Sequence, residues 1–283
     1  MARSTDISPI SKVLTRVDAI ADGATATDTI ASGFPSIDRM LGGGLRRGDL
    51  IVLGGDVGSG KSALALATAL RAAEQQVPVL FYTGEMSPER VMERALAIEG
   101  RVRVDDLRQG TLDDTARAAV GGAAVRLRDT MPVIDRIPSG GLASLAADIS
   151  SRRGAKVVVV DSLQALVTGR QPQAEELADT VLRLKALALD LNVVMFVTSQ
   201  LPGLAAREDR RPQLDDFGML GAVKHHADVV FGLFREGMYE PRREIEGATE
   251  LLVRKNRNGG TGYVDLYFYA HWMRFEDMLD PDR

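Results

Sequence analysis

The sequence predicts an α/β protein with a mostly parallel central sheet, helices on both faces and a C-terminal β-hairpin region. Three observations carry that expectation. From Ser32 onward, short β-branched runs alternate with helical stretches; a glycine-rich loop joins one such run to a helix; and the helical stretches stop beyond Ala227. Strand–helix alternation is the pattern of a sheet wound in both directions and covered on both sides.

Taken in order, Ser8-Pro9 reads as a helix start, with serine as cap and proline at the first helical position. Ile10, Val13, Leu14 and Val17 follow at helical spacing and form one apolar stripe. The stretch Ala21–Ala31 is rich in Ala, Thr, Asp and Gly and reads as a linker. Residues 1–31 are therefore expected to be a docking helix on a tether, and residues 32–283 the main domain. A short amphipathic helix has no core of its own and must dock, by default on its own domain.

Within the main domain, Asp49–Gly54, Val79–Thr83, Val157–Asp161 and Val193–Thr198 are apolar on both faces, as the middle strands of a parallel sheet are. Ser62–Glu74, Pro88–Ile98, Leu142–Arg153 and Glu175–Asp190 read as the intervening helices. Asp228–Phe234, Leu251–Lys255 and Tyr263–Tyr269 read as strands, with Asn258-Gly259-Gly260 as the turn between the last two.

Composition narrows the function. A length of 283 residues suits one large α/β unit, and a 45% hydrophobic, 26% charged composition is ordinary for a globular chain. Cysteine is absent, which excludes disulfides, thiol catalysis and cysteine-ligated zinc. The N-terminal residues Met1–Asp6 carry no apolar core, and runs such as Val157–Val160 are far too short to span a bilayer. A cytoplasmic protein without membrane contact is expected. The net charge of −4 argues against a surface coated in nucleic acid, but a few arginines can still line a narrow channel.

The chemistry-bearing motifs follow the strands. Gly55-Asp56-Val57-Gly58-Ser59-Gly60-Lys61-Ser62 is a complete Walker A sequence, after an apolar strand and before a helix. Its backbone N–H groups are expected to wrap the phosphates of ATP, with Lys61 on the β and γ phosphates and the Ser62 hydroxyl on Mg²⁺. Val157–Val160 followed by Asp161 reads as a Walker B strand, whose aspartate holds Mg²⁺ directly or through water. Glu85 follows the strand Val79–Thr83, which is expected close to the P-loop strand, so its carboxylate can activate the attacking water. Gln200 ends another strand and suits either a γ-phosphate sensor or a plain polar strand end. Lys255 and Arg257 read as solvated hairpin charges, or, in a ring, as groups reaching a neighbour's γ-phosphate. Arg207, Arg210 and Arg211 sit in the segment Leu201–Asp216, whose default reading is a solvated loop.

With these residues in place, the chain resembles the C-terminal ATPase domain of DnaB-type replicative helicases, a RecA-like P-loop family, from about Ser32 to the end. The resemblance rests on Ser32–Asp38, the Walker A, Gly84-Glu85-Met86 with its helix to Arg94, Gln109–Asp114, Asp161-Ser-Leu-Gln164, Ser199-Gln200-Leu201, Ala227-Asp228 and Lys255–Gly259. It implies a homo-hexameric ring that uses ATP and Mg²⁺ to move along single-stranded DNA. It implies Lys61, Ser62 and Asp161 for MgATP, Glu85 for water activation, Gln200 as sensor, and Lys255 with Arg257 acting in trans. The helix Ile10–Ile20 looks like the family's linker helix, which docks on the adjacent subunit, in place of the default reading above. DNA loops are implied at about Thr168–Ala174 and Leu201–Gly221, bringing in Arg170, Arg207, Arg210, Arg211 and Gly221.

The departures are specific. The family's N-terminal helical domain has no counterpart ahead of Ser32, so primase contact through it is not expected. After Ser-Gln-Leu the family usually has an arginine within two residues; here stand Pro202 and Gly203. The family's Arg-Glu-Ser-Gly DNA loop reads Gly218-Met219-Leu220-Gly221, keeping a glycine for backbone contact but losing the side chains. Leu41-Gly-Gly-Gly-Leu45, Tyr82-Thr-Gly-Glu85 and Lys255-Asn-Arg257 also resemble RadA-type branch-migration proteins, whose zinc finger and protease-like domain are absent. A regulatory or assembly ATPase that does not unwind DNA is another alternative, and a nucleotide-binding scaffold with negligible hydrolysis a further one, against which Glu85, Asp161, Lys255 and Arg257 argue.

Overall fold

The computed structural model describes residues 8–23, 28–169, 172–201, 203–240 and 246–278. The elements run α1 (Pro9–Ala21), β1 (Thr29–Ile30), α2 (Pro35–Met40), β2 (Leu45–Arg46), β3 (Leu50–Gly55), α3 (Lys61–Glu74), β4 (Val79–Thr83), α4 (Pro88–Gly100), α5 (Val104–Gln109), α6 (Asp114–Thr130), β5 (Val133–Arg136), α7 (Gly141–Ser151), β6 (Val157–Asp161), α8 (Gln173–Leu191), β7 (Val194–Gln200), α9 (Ala222–His226), β8 (Val229–Phe234), β9 (Ala248–Asn256), β10 (Gly262–Tyr269) and β11 (Arg274–Asp277).

Among the described residues, nine strands form one sheet in the order β11-β10-β9-β8-β3-β7-β6-β4-β5. From β8 to β5 every pairing is parallel, and from β8 through β11 every pairing is antiparallel. The hairpin region is therefore continuous with the parallel sheet and extends it by one edge. Period-two alternation sorts the strand residues between the faces. Ile51, Leu53, Phe81, Val157, Val159, Phe196 and Phe231 join a core with α3 and α4. Leu50, Val52, Tyr82, Val158, Val160, Met195 and Val230 join a second core with α7 and α8. Strands buried on both faces explain why β3, β4, β6, β7 and β8 read as continuous apolar runs.

The strand β4, expected close to the P-loop strand, meets it beyond the strand ends and not by pairing. β4 does not lie beside the P-loop strand: β7 and β6 stand between β3 and β4. Proximity to the P-loop is achieved beyond the strand, where the Gly84 N–H donates to the Asp161 carbonyl at 2.6 Å and the chain bends over the ends of β6 and β7.

The N-terminal helix forms as the capping signal requires, with the Ser11 N–H donating to Ser8 Oγ at 3.2 Å. Its stripe is exposed on this chain: Ile10, Val13, Leu14, Val17 and Ile20 are 72%, 47%, 57%, 52% and 45% accessible. Among the described residues, no helix is long and apolar enough to cross a membrane.

Candidate nucleotide site and the surfaces around it

The carboxyl ends of β3, β6 and β7 open onto a cleft of about 400 Å³, lined among others by Lys61, Ser62, Glu85, Arg94, Asp161 and Phe268. Open α/β sheets place ligands in this crevice. The loop leading to α3 takes its shape from glycine. Gly58 and Gly60 have φ of +79° and +103°, where a side chain is strained, and a Cβ at Gly60 would stand 2.9 Å from the Phe275 ring. α3 then starts at Lys61, aiming its first N–H groups into the cleft.

The Walker residues converge. Lys61 Nζ donates to the carbonyls of Gly55 and Asp56 at 3.0 and 2.7 Å. Burial lowers the Lys61 pKa, against the pull of Asp161, Asp56 and Glu85 in the opposite direction. Asp161 is 3% exposed and accepts from the Ser62 hydroxyl at 3.1 Å and the Thr198 hydroxyl at 2.5 Å. Burial raises its pKa, and those two hydrogen bonds oppose the shift. A hydroxyl beside a carboxylate is an all-oxygen donor set, of the kind Mg²⁺ takes. Ser62 and Asp161 are therefore the residues that would hold such an ion.

Glu85 comes to the same place. Its Oε1 accepts from Gln200 Nε2 at 2.7 Å and from Ser162 Oγ at 2.9 Å. Gln200 is thus no isolated strand end. Its backbone N–H donates to Gln164 Oε1 at 3.2 Å, while Gln164 Nε2 donates to Ser199 Oγ and the Gln200 carbonyl at 3.1 and 3.3 Å. On the far shoulder of the loop, Asp56 accepts from the Tyr239 hydroxyl at 2.8 Å and from the Val57 N–H at 2.8 Å.

Sequence reasoning did not place Arg94, Ser162, Thr198, Gln164 or Tyr239 at the site. A signal existed for Arg94. It occupies the core-facing spacing of α4, with Val91, Ala95 and Ile98 buried, where an arginine needs a purpose. Burial depresses its pKa, and its Nε is buried without a hydrogen bond among the described residues.

Lys255 and Arg257 stand elsewhere. Arg257 Nη1 donates to Asp228 Oδ1 at 3.0 Å and its Nη2 to the His225 carbonyl at 2.7 Å. Lys255 Nζ donates to the carbonyls of Lys224 and His225 at 2.7 and 3.4 Å. Asp228 also accepts from the Leu50 N–H, at the first residue of β3. The pair therefore lies at the amino end of β3, whereas the P-loop leaves its carboxyl end. They are not the free hairpin charges that their spacing alone suggests.

The segment Leu201–Asp216 is likewise not a plain solvated loop. Arg207 binds Asp216 at 2.6 and 2.9 Å, Arg211 binds Glu250 at 2.8 and 2.6 Å, and Arg210 lies 4.9 Å from the Tyr239 ring centroid. The Gly221 N–H, expected to face a phosphate, donates to the Gly218 carbonyl at 2.9 Å. In the other loop, Thr168 and Gly169 N–H groups donate to Glu176 at 2.7 and 3.0 Å. Arg170 and Pro202 lie outside the described residues.

Comparison with known proteins agrees with the fold and with the motif set. A family model described as the DnaB-like helicase C-terminal domain matches residues 29–277. The replicative DNA helicase DnaB of Leifsonia xyli subsp. xyli is 32% identical over 256 residues, 88% of this chain and 56% of that protein. The replicative DNA helicase DnaB of Geobacillus stearothermophilus is 30% identical over 258 residues, with the same 88% and 56% coverage. The chain thus spans about half the length of these curated relatives. One solved structure, an isolated ATPase domain, superposes with a TM-score of 0.88 at 22% identity, over 96% of this chain and 99% of that one. A DnaB-like replicative helicase, solved in a study of its interactions with primase, superposes with a TM-score of 0.85 at 22% identity, over 98% and 68%.

Proposed function

The chain belongs to the DnaB-like helicase C-terminal domain family, and from that premise we propose that it is the motor domain of a homo-hexameric ring hydrolysing MgATP to move along single-stranded DNA. The observation that carries the reading is a separation. Lys61, Ser62, Glu85, Asp161 and Gln200 meet at the carboxyl end of β3, and Lys255 with Arg257 stand at its amino end. A single chain cannot bring the two groups together, and copies arranged head to tail can.

In this reading the P-loop N–H groups of Gly55–Gly60 and Lys61 hold the phosphates of ATP. Ser62 and Asp161 hold Mg²⁺, which neutralises charge on the β and γ phosphates when bound. Glu85 takes the proton of the attacking water. Gln200, bonded to Glu85, reports the state of the γ-phosphate to the segment that follows it. Lys255 and Arg257 of the next copy stabilise the charge that develops on the transferred phosphoryl group, a contribution of roughly 10³–10⁵ in rate for a trans arginine. The exposed stripe of α1 supplies a second link between copies. The strand runs past the segments about Thr168–Ala174 and Leu201–Gly221, with Arg170, Arg207, Arg210, Arg211 and Gly221 as its candidate contacts.

Sedimentation with MgATP and a single-stranded oligonucleotide tests the assembly: closed rings are expected, and a chain that stays monomeric with both contradicts it. Binding through Z phosphate contacts weakens with salt at a log–log slope of about −0.7Z for a single strand. A second reading, a regulatory ring ATPase that does not unwind DNA, is favoured by the internal pairing of Arg207 with Asp216 and Arg211 with Glu250. A flat salt response selects it.

A further inference from the structure

We infer that Asp228 is the positioning residue of the trans pair, setting Arg257 for a neighbour's nucleotide from a buried anchor. This rests on the reading above that Arg257 acts in trans. Asp228 is 6% exposed at its side chain, whereas Arg257 is 48% exposed. One carboxylate oxygen accepts from Arg257 Nη1 at 3.0 Å. The other accepts from the Leu50 N–H at 2.8 Å and from Lys185 Nζ at 2.6 Å. Lys185 is itself fastened by its bond to the Gly48 carbonyl at 2.8 Å. The backbone repeats the link, since the Arg257 N–H donates to the Asp228 carbonyl at 2.9 Å.

This arrangement does what a mobile arginine on a hairpin cannot. The carboxylate is held on its inner side by the start of the P-loop strand and by α8, and on its outer side it grips one edge of the guanidinium. The His225 carbonyl at the end of α9 accepts from the other edge at 2.7 Å. Two bonds to a planar fork fix its orientation as well as its position. The half-exposed remainder of the guanidinium is thereby presented outward, with its ordering settled before the neighbour arrives. The same His225 carbonyl accepts from Lys255 Nζ at 3.4 Å, beside the Lys224 carbonyl at 2.7 Å, so both cations share one platform.

The test is complementation between inactive subunits. Lys61→Ala removes the P-loop lysine but keeps the trans pair, and Arg257→Ala does the reverse. Mixed assemblies of these two are expected to regain ATP turnover at interfaces where an intact P-loop meets an intact Arg257. Asp228→Asn, which keeps an acceptor for the Leu50 N–H, is expected to lower turnover of the uniform assembly by roughly tenfold to a hundredfold, the scale of a misplaced catalytic group. Mixed with Lys61→Ala, it is expected to recover as Arg257→Ala does, because its own P-loop is intact. A merely structural role would leave the Asp228→Asn P-loop impaired and the mixture inactive. Recovery with Arg257→Ala but not with Asp228→Asn overturns this inference alone. No recovery in either mixture removes the trans reading and the inference with it. Should Asp228→Asn melt well below the wild type, Asp228→Glu is judged by the same mixtures, with the same outcomes deciding.

Discussion

Gln200 Nε2 donates to Glu85 Oε1 across 2.7 Å, joining the end of β7 to the segment that leaves β4. Neither residue is near the other in sequence, and their strands are not neighbours in the sheet. The bond makes the proposed water-activating carboxylate and the proposed sensor one unit. Residues acting as a unit are not additive when removed. Glu85→Gln is expected to lower ATP turnover by roughly 10²–10⁴, the usual worth of a general base. Gln200→Ala is expected to cost less, and the double variant no more than Glu85→Gln alone. Steady-state turnover of the three variants checks this; strictly multiplicative losses contradict it.

Phe217 ties the segment after β7 to the back of the P-loop strand. A Cβ built at Gly54 would stand 2.5 Å from the Phe217 ring and 2.9 Å from Leu201, closer than packed atoms approach. Gly54→Ala is expected to lose about 1–3 kcal/mol of stability through overpacking. Most of that loss should vanish in a Phe217→Ala background, measured by denaturant unfolding. Equal losses in both backgrounds would show that the ring is not what Gly54 makes room for.

Much of this arrangement was legible in the sequence, and the exceptions have physical reasons. The Walker A loop, the strand ending in Asp161 and the alternating helices are set by local patterns: glycine spacing, strand length and apolar periodicity. The short β11 and α6, interrupted by Gly121-Gly122, carry weak local signals. That β7 and β6 stand between β3 and β4 was not readable, because strand order is a property of topology, which local pattern does not encode. Glu85 reaches the cleft all the same, its carboxylate bonded to Ser162 after β6 and to Gln200 at the end of β7. The pairing of Arg207 with Asp216 and of Arg211 with Glu250 was not readable. A loop arginine looks the same in sequence whether it meets water or a carboxylate 39 residues away.

Alkaline stability should report the Tyr239–Asp56 contact. Burial and the hydrogen bond to Asp56 push the Tyr239 phenol up to about 12, from an ordinary value near 10. Between those values the folded chain keeps a proton that the unfolded chain has lost, so stability is fully present below about pH 10 and falls as pH rises through about 12. Tyr239→Phe removes that contribution. Urea midpoints of the wild type and the variant should converge as pH climbs across this window. A constant gap would place the phenol's titration elsewhere.

The exposed stripe of α1 makes a separable prediction. Leu14 and Val17 are 57% and 52% accessible on this chain, so Leu14→Asp with Val17→Asp should leave subunit stability within about 0.5 kcal/mol. Assembly, followed by sedimentation with MgATP, should weaken sharply. Intact assembly of the double variant would mean that α1 does not link copies.

Turnover of ATP with and without single-stranded DNA, for the wild type beside Glu85→Gln, bears most directly on the proposed motor. A DNA-driven motor predicts hydrolysis by the wild type that rises strongly with DNA, and little hydrolysis by the variant under either condition. Wild-type turnover that needs Glu85 but ignores DNA would contradict a DNA-driven motor and leave a ring ATPase whose nucleotide state serves another contact.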